Sequence, residues 1–210
     1  YQRLHDVAPH KERDELLNPM RWASAFEARG GGRWAPAGQT TQFVVGAGEE
    51  SDLELLQTVS HLYGRLRLRR AYYSAFQPVP DTPLDAKPPT PLWREHRLYQ
   101  SDFLMRQYGF HFGELVYDEG GHLPREDDPK TAWARAHPEC YPVEVNTAPR
   151  ATLLRVPGLG PRSVDRVLQT RRDHRVRSLG ELAALGAVTG WAAPWVLLDG
   201  RRPAYQLGLW

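Results

Sequence analysis

The chain has 210 residues, 41% of them hydrophobic, which suffices for one or two domains with a core. Its 27 Lys and Arg residues almost balance 25 Asp and Glu residues, so the net charge of +2 excludes a uniformly basic surface and leaves only local ones. The single cysteine, Cys140, excludes a disulfide framework and any cysteine-only metal or iron–sulfur site built by this chain alone. No signal peptide and no apolar run of membrane-spanning length is present, so we expect a cytoplasmic location.

Changes in composition divide the chain into three parts and predict α/β structure followed by an all-α region. Residues 1–85 have α/β character, residues 86–142 form a proline-rich link, a long helix and a loop-rich connection, and residues 143–210 form a helical domain. The sequence begins with Tyr1 instead of a methionine. We therefore expect a fragment of a longer protein or a processed product.

The first part opens with a predicted helix at residues 12–28. It turns four apolar side chains inward, namely Leu16, Leu17, Met20 and Phe26. Three glycines at 30–32 end this helix, because glycine favours other backbone conformations. A strand follows at residues 40–46, where β-branched residues in a near-continuous apolar run are typical of a buried parallel sheet.

Ser51 caps the next helix, whose apolar face carries Leu53, Leu55, Leu56, Val59, Leu62 and Tyr63. A second strand follows at residues 70–77. Strand, helix and strand in this order predict a right-handed βαβ unit. Because two parallel strands do not make a domain, we expect an unpaired sheet edge. Residues 1–85 should then pack against a second copy or pack imperfectly.

The middle part is dominated by an amphipathic helix at residues 94–109. Five of its side chains predict core packing: Leu98, Phe103, Leu104, Met105 and Tyr108. Three arginines on its polar side are candidates to extend a phosphate-binding face: Arg94, Arg97 and Arg106. Cys140 is expected to be an ordinary buried thiol, because no His or Asn partner for a nucleophile can be assigned.

The most informative segment, residues 143–168, predicts two short helices joined by a tight turn. Asn146 and Thr147 are the cap candidates of the first helix, whose apolar edge contains Leu153, Leu154 and Val156. In the turn PGLG at 157–160, the proline stops the first helix and the glycines permit a sharp reversal and close backbone approach. Pro161 suits the first turn of the second helix, in which Val164, Val167 and Leu168 recur at helical spacing.

The start of the second helix is a predicted anion site. Backbone N–H groups at Gly158, Gly160 and 162–163 are expected to be free there, with the helix dipole behind them. Two aspartates oppose eight arginines around it: Arg150, Arg155, Arg162, Arg166, Arg171, Arg172, Arg175 and Arg177. Because the guanidinium group is a forked donor, the segment predicts a grip on a phosphate backbone without reading of bases.

Residues 143–186 resemble the helix-hairpin-helix motif, hxxhxGhGxxxAxxhh, of DNA-binding proteins. VEVNTA at 143–148, the arginines at 171–172 and SLGELAALG at 178–186 extend the likeness to the competence-protein type. Val164 is a departure, since the family usually has alanine at this close helix contact. The resemblance implies sequence-independent DNA binding by Gly158, Leu159, Gly160, Arg162, Ser163, Arg166 and Arg155. The alternative is a helical hairpin that serves only packing or protein contact.

Three late tryptophans, Trp191, Trp195 and Trp210, have two interpretations. They can stack on nucleobases, or they can close the core of a small domain, which we favour. Paired acids such as Asp127 and Asp128 are expected to be solvated turn residues. The histidines have no zinc-site spacing, so no metal site is predicted.

A second resemblance covers almost the whole chain. QFVVGAGE at 42–49 resembles the fifth-strand motif GxIxGxxE of radical S-adenosylmethionine enzymes: Val44, Gly46 and Glu49 match, and Gln42 replaces the first glycine. Further stretches that carry the likeness are 8–11, 39–47, 70–79 and 94–110. Together they make the chain similar to DNA modification and repair radical S-adenosylmethionine proteins, which have a partial (βα) barrel followed by a helix-hairpin-helix domain.

This resemblance implies S-adenosylmethionine and an iron–sulfur cluster in a complete parent protein, but the cluster motif CxxxCxxC is absent from this chain. Residues 1–85 are then the end of the barrel without the cluster-binding half, and this chain alone is not expected to perform the radical step. In a complete barrel, Val44, Gly46 and Tyr73 are candidates for the adenine pocket; the alternative is that they are barrel core. The implied partners are DNA and the missing N-terminal barrel half or a second copy.

Two other functions stay open at this point. One is a non-catalytic adaptor that uses the hairpin for protein contact. The other is a DNA glycosylase of the helix-hairpin-helix class. It is disfavoured because no lysine nucleophile lies at the hairpin in the sequence, no clear catalytic aspartate lies downstream and no four-cysteine cluster follows.

Overall fold

The computed structural model describes residues 10–30 and 35–205. The chain folds as two units. The N-terminal unit is Tyr1–Asp102 with Tyr117–Glu126, and the C-terminal unit is Phe103–Val116 with Asp127–Trp210. The predicted middle part, residues 86–142, is therefore not a separate region, because its segments are shared between the two units.

The N-terminal unit alternates helix and strand. Its elements are α1 (Arg13–Ala28), β1 (Thr40–Val45), α2 (Asp52–Leu66), β2 (Arg70–Ala75) and α3 (Leu92–Phe103), the last of which ends at the unit boundary. β1 and β2 pair in parallel, from Thr40 opposite Arg70 to Val45 opposite Ala75. The predicted strand–helix–strand order and its parallel pairing are therefore confirmed.

The start of α2 is a capping box. The Ser51 hydroxyl accepts a hydrogen bond from the Glu54 N–H (3.2 Å), and the Glu54 carboxylate accepts one from the Ser51 N–H (2.8 Å). Two orphan donors of the first turn are satisfied in this way. The predicted cap is confirmed, and the apolar face behind it is buried at Leu56 and Val59.

Two burial predictions for this unit are wrong. Leu16 and Phe26 of α1 are 42% and 52% exposed, whereas Leu17 is buried. β1 alternates between exposed and covered positions, and its Val44 is 54% exposed. The reason is that the described sheet has two strands and one covered face, so the apolar run is not buried on both sides.

The outer edge of β2 is closed by side chains of the chain itself. Its outward N–H groups donate to side-chain oxygens of α2 and α3: Ala71 to Tyr63 (3.1 Å), Tyr73 to Tyr99 (3.0 Å) and Ala75 to Glu95 (2.7 Å). The predicted unpaired edge is thus absent at β2, because hydroxyl and carboxylate oxygens take the place of a third strand. β1 has no second strand neighbour within residues 10–30 and 35–205.

Two of the arginines on α3 are bound within the N-terminal unit. Arg94 donates from Nε to the fully buried Asp52 carboxylate (2.7 Å). Arg97 donates to the carbonyl oxygens of Pro124 (3.1 Å) and Arg125 (2.6 Å). The prediction that these two arginines extend a phosphate-binding face is therefore wrong, since their donors hold the loop at 117–126 and the start of α2.

The C-terminal unit is built from short helices around one apolar core. A π-helical turn at Leu104–Tyr108 is followed by α4 (Pro129–Ala136), β3 (Val143–Glu144), α5 (Arg150–Arg155), α6 (Pro161–Thr170), α7 (Leu179–Ala184), α8 (Thr189–Ala192) and β4 (Val196–Leu197). β3 and β4 pair in parallel, with Val143 opposite Val196. The core cluster contains Val145, Leu153, Leu154, Val156, Leu159, Val164, Val167, Val176 and Leu182.

The helix predicted at 94–109 changes type inside its span. α3 ends at Phe103, which is 46% exposed, and the π-helical turn follows and stops at Gly109 with φ 75°. Within the described part of the chain, no helix has both the length and the hydropathy to cross a membrane. The predicted run 8–11 and the glycines at 30–32 lie partly outside the described residues, and Trp210 lies wholly outside them.

Candidate nucleic-acid interface

The predicted pair of short helices is present as α5 and α6, joined by residues 156–160. The side chains that face each other are buried: Leu153, Leu154, Val156, Val164 and Val167. The predicted caps are wrong, because α5 begins later, with Pro149 at the N-cap position. Asn146 instead bonds the chain at Val176 in both directions, accepting from its N–H (2.8 Å) and donating to its carbonyl oxygen (2.9 Å).

The two turn glycines do different things. Gly158 has φ +77°, and a Cβ there would lie 2.4 Å from the Val188 carbonyl oxygen and 2.9 Å from the Ala192 nitrogen. Gly160 has φ −102°, and the nearest atom to a Cβ there would be the Tyr108 hydroxyl oxygen at 3.4 Å. Only Gly158 requires glycine, and the backbone that approaches it belongs to α8 and the residue before it.

The start of α6 presents free backbone donors, although not all of those predicted. The Gly160 N–H donates to the Ser163 hydroxyl oxygen (2.8 Å), so the prediction of a free N–H there is wrong. The N–H groups of Gly158, Arg162 and Ser163 have no acceptor within residues 10–30 and 35–205, but Ser163 is only 3% exposed, so Arg162 is the exposed helical residue with a free N–H group. α6 has ten residues, long enough for its dipole to add positive potential at this end.

The arginines around this helix fall into two groups. Arg162 and Arg166 are exposed, and neither forms a hydrogen bond or ion pair with any described residue. Others are bound within the unit: Arg150 pairs with Asp165 (2.8 Å), and Arg171 donates to the carbonyl oxygens of Val145 (3.1 Å) and Ala148 (2.7 Å). The cationic groups open to a ligand at the start of α6 are therefore fewer than the sequence suggests.

Arg155, a predicted DNA-contact residue, lies in an internal cation site. Its guanidinium is 4.3 Å from the Phe110 ring centroid and 4.7 Å from that of Trp133, and it donates to the Glu114 carboxylate (2.9 Å). The side chain is 23% exposed. Stacking on two rings and an ion pair give Arg155 a role in packing α5. The structure does not bring it together with Arg162 and Arg166.

A groove of about 390 Å³ runs beside α5. The groove is lined by Arg106, Gln107 and Tyr108 of the π-helical turn and by Arg150 and Leu154 of α5. π-Helical turns occur often at functional sites. Arg106 is thus the one of the three predicted α3-side arginines that lies near the hairpin.

Lys130, a residue not predicted from the sequence, contacts the hairpin turn. Its ammonium donates to the Leu159 carbonyl oxygen (2.5 Å) and lies 4.6 Å from the Tyr108 ring centroid, and the residue is 7% exposed. Burial lowers the Lys130 pKa to about 7, and the nearby Asp128 carboxylate opposes that shift. The sequence offers no local signal for this contact, because 29 residues separate Lys130 from Leu159.

The three residues predicted for an adenine pocket do not converge. Tyr73 is buried, with its ring against Phe43 and Tyr99, whereas Val44 is one register position away from Phe43 and points to the exposed face. A Cβ on Gly46 would lie 2.0 Å from the Thr90 hydroxyl oxygen, so its glycine is explained by a contact within the chain. These residues do not fit an S-adenosylmethionine pocket, and the single cysteine does not fit an iron–sulfur cluster.

The late aromatic residues and the cysteine take distinct places. Trp195 packs on Tyr141, with ring centroids 5.0 Å apart, as expected for a core residue. Trp191 in α8 is 62% exposed, one residue before the Ala192 nitrogen that approaches Gly158. Cys140 is exposed, so the expected buried thiol is wrong. Glu139 and Cys140 lie in a short 3₁₀ turn on the surface.

Comparisons with protein-family models, with curated proteins and with solved structures find no match to this chain.

Proposed function

We propose that α5, α6 and their turn bind duplex DNA through its phosphate backbone, without reading the base sequence. The observation that carries the proposal is the start of α6, where the N–H group of the exposed Arg162 lacks an acceptor among the described residues and two unpaired arginines, Arg162 and Arg166, lie on the same helix. Free N–H groups and arginine guanidinium groups donate hydrogen bonds to phosphate oxygens, and the helix dipole adds positive potential there. None of them distinguishes one base pair from another.

The distribution of charge supports a polyanionic partner. Residues 143–210 contain ten arginines and no lysine against five acidic residues, whereas the rest of the chain has more acidic than basic residues. The positive charge is therefore concentrated in the segment that holds the proposed site. Such asymmetry attracts a polyanion to this segment and adds to affinity in proportion to the phosphates neutralised.

The wider proposal is that the chain is the C-terminal part of a radical S-adenosylmethionine protein that modifies or repairs DNA. It is supported by the parallel pairing of β1 and β2 through α2, and by a β1 that has one strand neighbour in the described residues. Both features suit the end of a larger (βα) barrel. Because the predicted adenine-pocket residues do not converge, the activity proposed for this chain by itself is DNA binding.

The two alternatives differ in what the hairpin surface must do. A protein adaptor would use exposed apolar side chains, and Val188 and Trp191 near the turn are 55% and 62% exposed. A glycosylase would need an accessible amine, but Lys130 is buried and donates to a backbone carbonyl. The adaptor is thus the main competitor, and it does not depend on Arg162 and Arg166.

The test is the double variant Arg162→Ala with Arg166→Ala, measured by fluorescence anisotropy with labelled 20-base-pair duplexes of two unrelated sequences. We expect affinity to fall about tenfold for both sequences, and the slope of log affinity against log salt to decrease by about two, because two phosphate contacts are lost. A matched control, Arg29→Ala with Arg65→Ala, removes two exposed arginines from the N-terminal unit and should leave binding unchanged.

An unchanged affinity and salt slope in the Arg162/Arg166 variant would overturn the proposed grip. An equal loss in both double variants would show a general charge effect and would also contradict the proposal. Circular dichroism of each variant checks that the helices are retained.

A further inference from the structure

The turn between α5 and α6 accepts a hydrogen bond from a buried ammonium group, that of Lys130. Lys130 stands in the first turn of α4, and its ammonium donates to the Leu159 carbonyl oxygen across 29 residues. The ammonium nitrogen also lies 4.6 Å from the centroid of the Tyr108 ring. The Leu159 carbonyl belongs to the peptide that leads into Gly160, the N-cap of α6. The position of this ammonium therefore bears directly on how the start of α6 is presented.

The charge of Lys130 has no ion-pair partner within the described residues. The acid nearest to it in the chain, Asp128, uses its carboxylate to cap α4: it accepts from the N–H groups of Lys130 (3.0 Å) and Thr131 (3.1 Å) and from the Thr131 hydroxyl. A second titratable side chain near the ammonium is Tyr108, whose phenol pKa is raised by burial. Phenol and ring are thus neutral over the physiological range.

Burial of an unpaired ammonium has a cost that an anion can offset. Desolvation disfavours the charged form and lowers the Lys130 pKa to about 7, although Asp128 raises it. A phosphate held at the start of α6 would be a negative charge close to the Leu159 peptide. It would favour the protonated lysine, as any opposite charge nearby does.

We propose that Lys130 is a positioning residue that couples DNA binding to proton uptake: in its ammonium form it holds the Leu159 carbonyl and places the start of α6 for phosphate. This inference rests on the proposed DNA-binding function. It goes beyond it by naming a residue that touches no phosphate and by assigning the grip a dependence on pH.

The sign of the dependence follows from linkage. If bound DNA raises the pKa of Lys130 above its value of about 7 in the free protein, the complex holds more protons than the free partners in the range above pH 7. Affinity then falls as pH rises. A rise of about one unit on binding gives about a fivefold loss of affinity between pH 7 and pH 9.5.

Folding stability changes in the opposite direction, which separates positioning from a merely structural role. In the unfolded chain Lys130 keeps its proton to about pH 10.4, whereas in the fold its pKa is about 7. The unfolded state binds more protons between these values, so stability rises as pH increases through this window. A residue that only stabilised the fold would make binding follow stability upward.

The experiment measures duplex affinity at constant ionic strength from pH 7 to pH 9.5 for the wild type, Lys130→Met and Lys87→Met. We expect the wild type to lose about fivefold and Lys130→Met to be flat at the weak, high-pH level. Lys87→Met is the matched control, because Lys87 also donates to a backbone carbonyl, that of Ala47 (2.8 Å), but in the N-terminal unit. It should keep the wild-type pH profile.

Proton uptake can be measured on the wild type alone, which covers the case in which Lys130→Met fails to fold. Calorimetric binding enthalpies at pH 8 in buffers of different ionisation enthalpy should give an uptake of a measurable fraction of a proton. Lys130→Arg, which stays protonated, should bind with no loss up to pH 9.5.

The outcomes separate the two proposals. Absence of duplex binding by the wild type overturns the proposed function. Three results would overturn the role of Lys130 and leave the proposed phosphate binding by α6 intact. They are wild-type duplex affinity that does not change with pH, equal pH dependence in the wild type and Lys130→Met, and zero proton uptake on binding.

Discussion

The two units differ in the internal contacts that stabilise each of them. The C-terminal unit has a closed apolar core in which Leu153, Val164 and Val167 are fully buried. The N-terminal unit also has buried apolar side chains, such as Leu56, Val59 and Leu98, but it adds buried polar bonds, among them the Asp52–Arg94 pair and the hydroxyl bonds along β2. Apolar side chains of its sheet and of α1 stay exposed, among them Trp22, Phe26, Val44 and Tyr72. Both units thus have a buried apolar core, and the N-terminal unit in addition leaves apolar side chains exposed on its sheet and on α1.

The apolar patterns of the sequence agree with burial to different degrees in the two units. In the C-terminal unit, the apolar periodicity of α5 and α6 matches burial, because Leu153, Leu154, Val164 and Val167 of the two helices lie in one buried core cluster. The same kind of pattern in β1 predicts burial on two faces and finds one. An exposed apolar face of this kind is expected where further structure packs, which agrees with the proposal of a larger barrel.

Truncation of a core side chain in the C-terminal unit should destabilise the protein far more than truncation of an exposed side chain on the N-terminal sheet. Leu153→Ala should lower the free energy of unfolding by about 3 kcal/mol, because it leaves a cavity in a fully buried site. Val44→Ala on the open face should change it by less than about 0.5 kcal/mol. Urea denaturation followed by circular dichroism measures both, and equal effects would contradict the distinction.

The two turn glycines of the C-terminal unit should differ in how much an alanine substitution destabilises the fold. Gly158→Ala should cost about 2 kcal/mol, because alanine is strained at positive φ and its Cβ would collide with the Val188 carbonyl oxygen. Gly160→Ala should cost about 0.5 kcal/mol, since alanine is only a poorer N-cap there. Thermal unfolding of both variants checks the order. A larger loss at position 160 would mean that the turn has another geometry.

Loss of a hydroxyl group at the outer edge of β2 should destabilise the protein less than Leu153→Ala or Gly158→Ala. The Tyr99 hydroxyl accepts from the Tyr73 N–H and donates to the Tyr73 carbonyl oxygen, both at 3.0 Å. Tyr99→Phe should therefore destabilise the N-terminal unit by about 1.5 kcal/mol, because two backbone groups lose their partner. Tyr72→Phe on the exposed face is the control and should be close to neutral. If both variants are neutral, water replaces the hydroxyl and the edge is not closed by Tyr99.

Local signals in the sequence predicted the elements well. The Ser51 cap, the strand at 40–45 and the helix after Pro161 each depend on residues within a few positions, and each is present. The same reasoning failed at Asn146, where a residue suited to capping bonds Val176 instead. A cap and a tertiary bond use the same side-chain atoms, so residue type alone does not decide between them.

The candidate site was predicted in part, for a physical reason. Exposure of Arg162 and Arg166 follows from the apolar stripe of α6, since they lie on the other side of that helix. Burial of Arg155 on aromatic rings and the contact of Lys130 with Leu159 depend on segments 22 to 45 residues away. No pattern within one helix contains that information, which is why a predicted phosphate ligand is structural and a buried lysine was missed.

The pairing of β3 with β4 has a consequence for modularity. The chain enters the helical segment at Val143 and leaves it at Leu197, and these two ends lie side by side in one small parallel ladder. A segment whose entry and exit points are neighbours can be inserted into a surface loop of a host protein, or removed from it, with little distortion of the host. A graft of residues 143–198 would also have to carry the partners that lie outside the segment, because Arg155 stacks on Phe110 and Trp133, and Lys130 bonds Leu159.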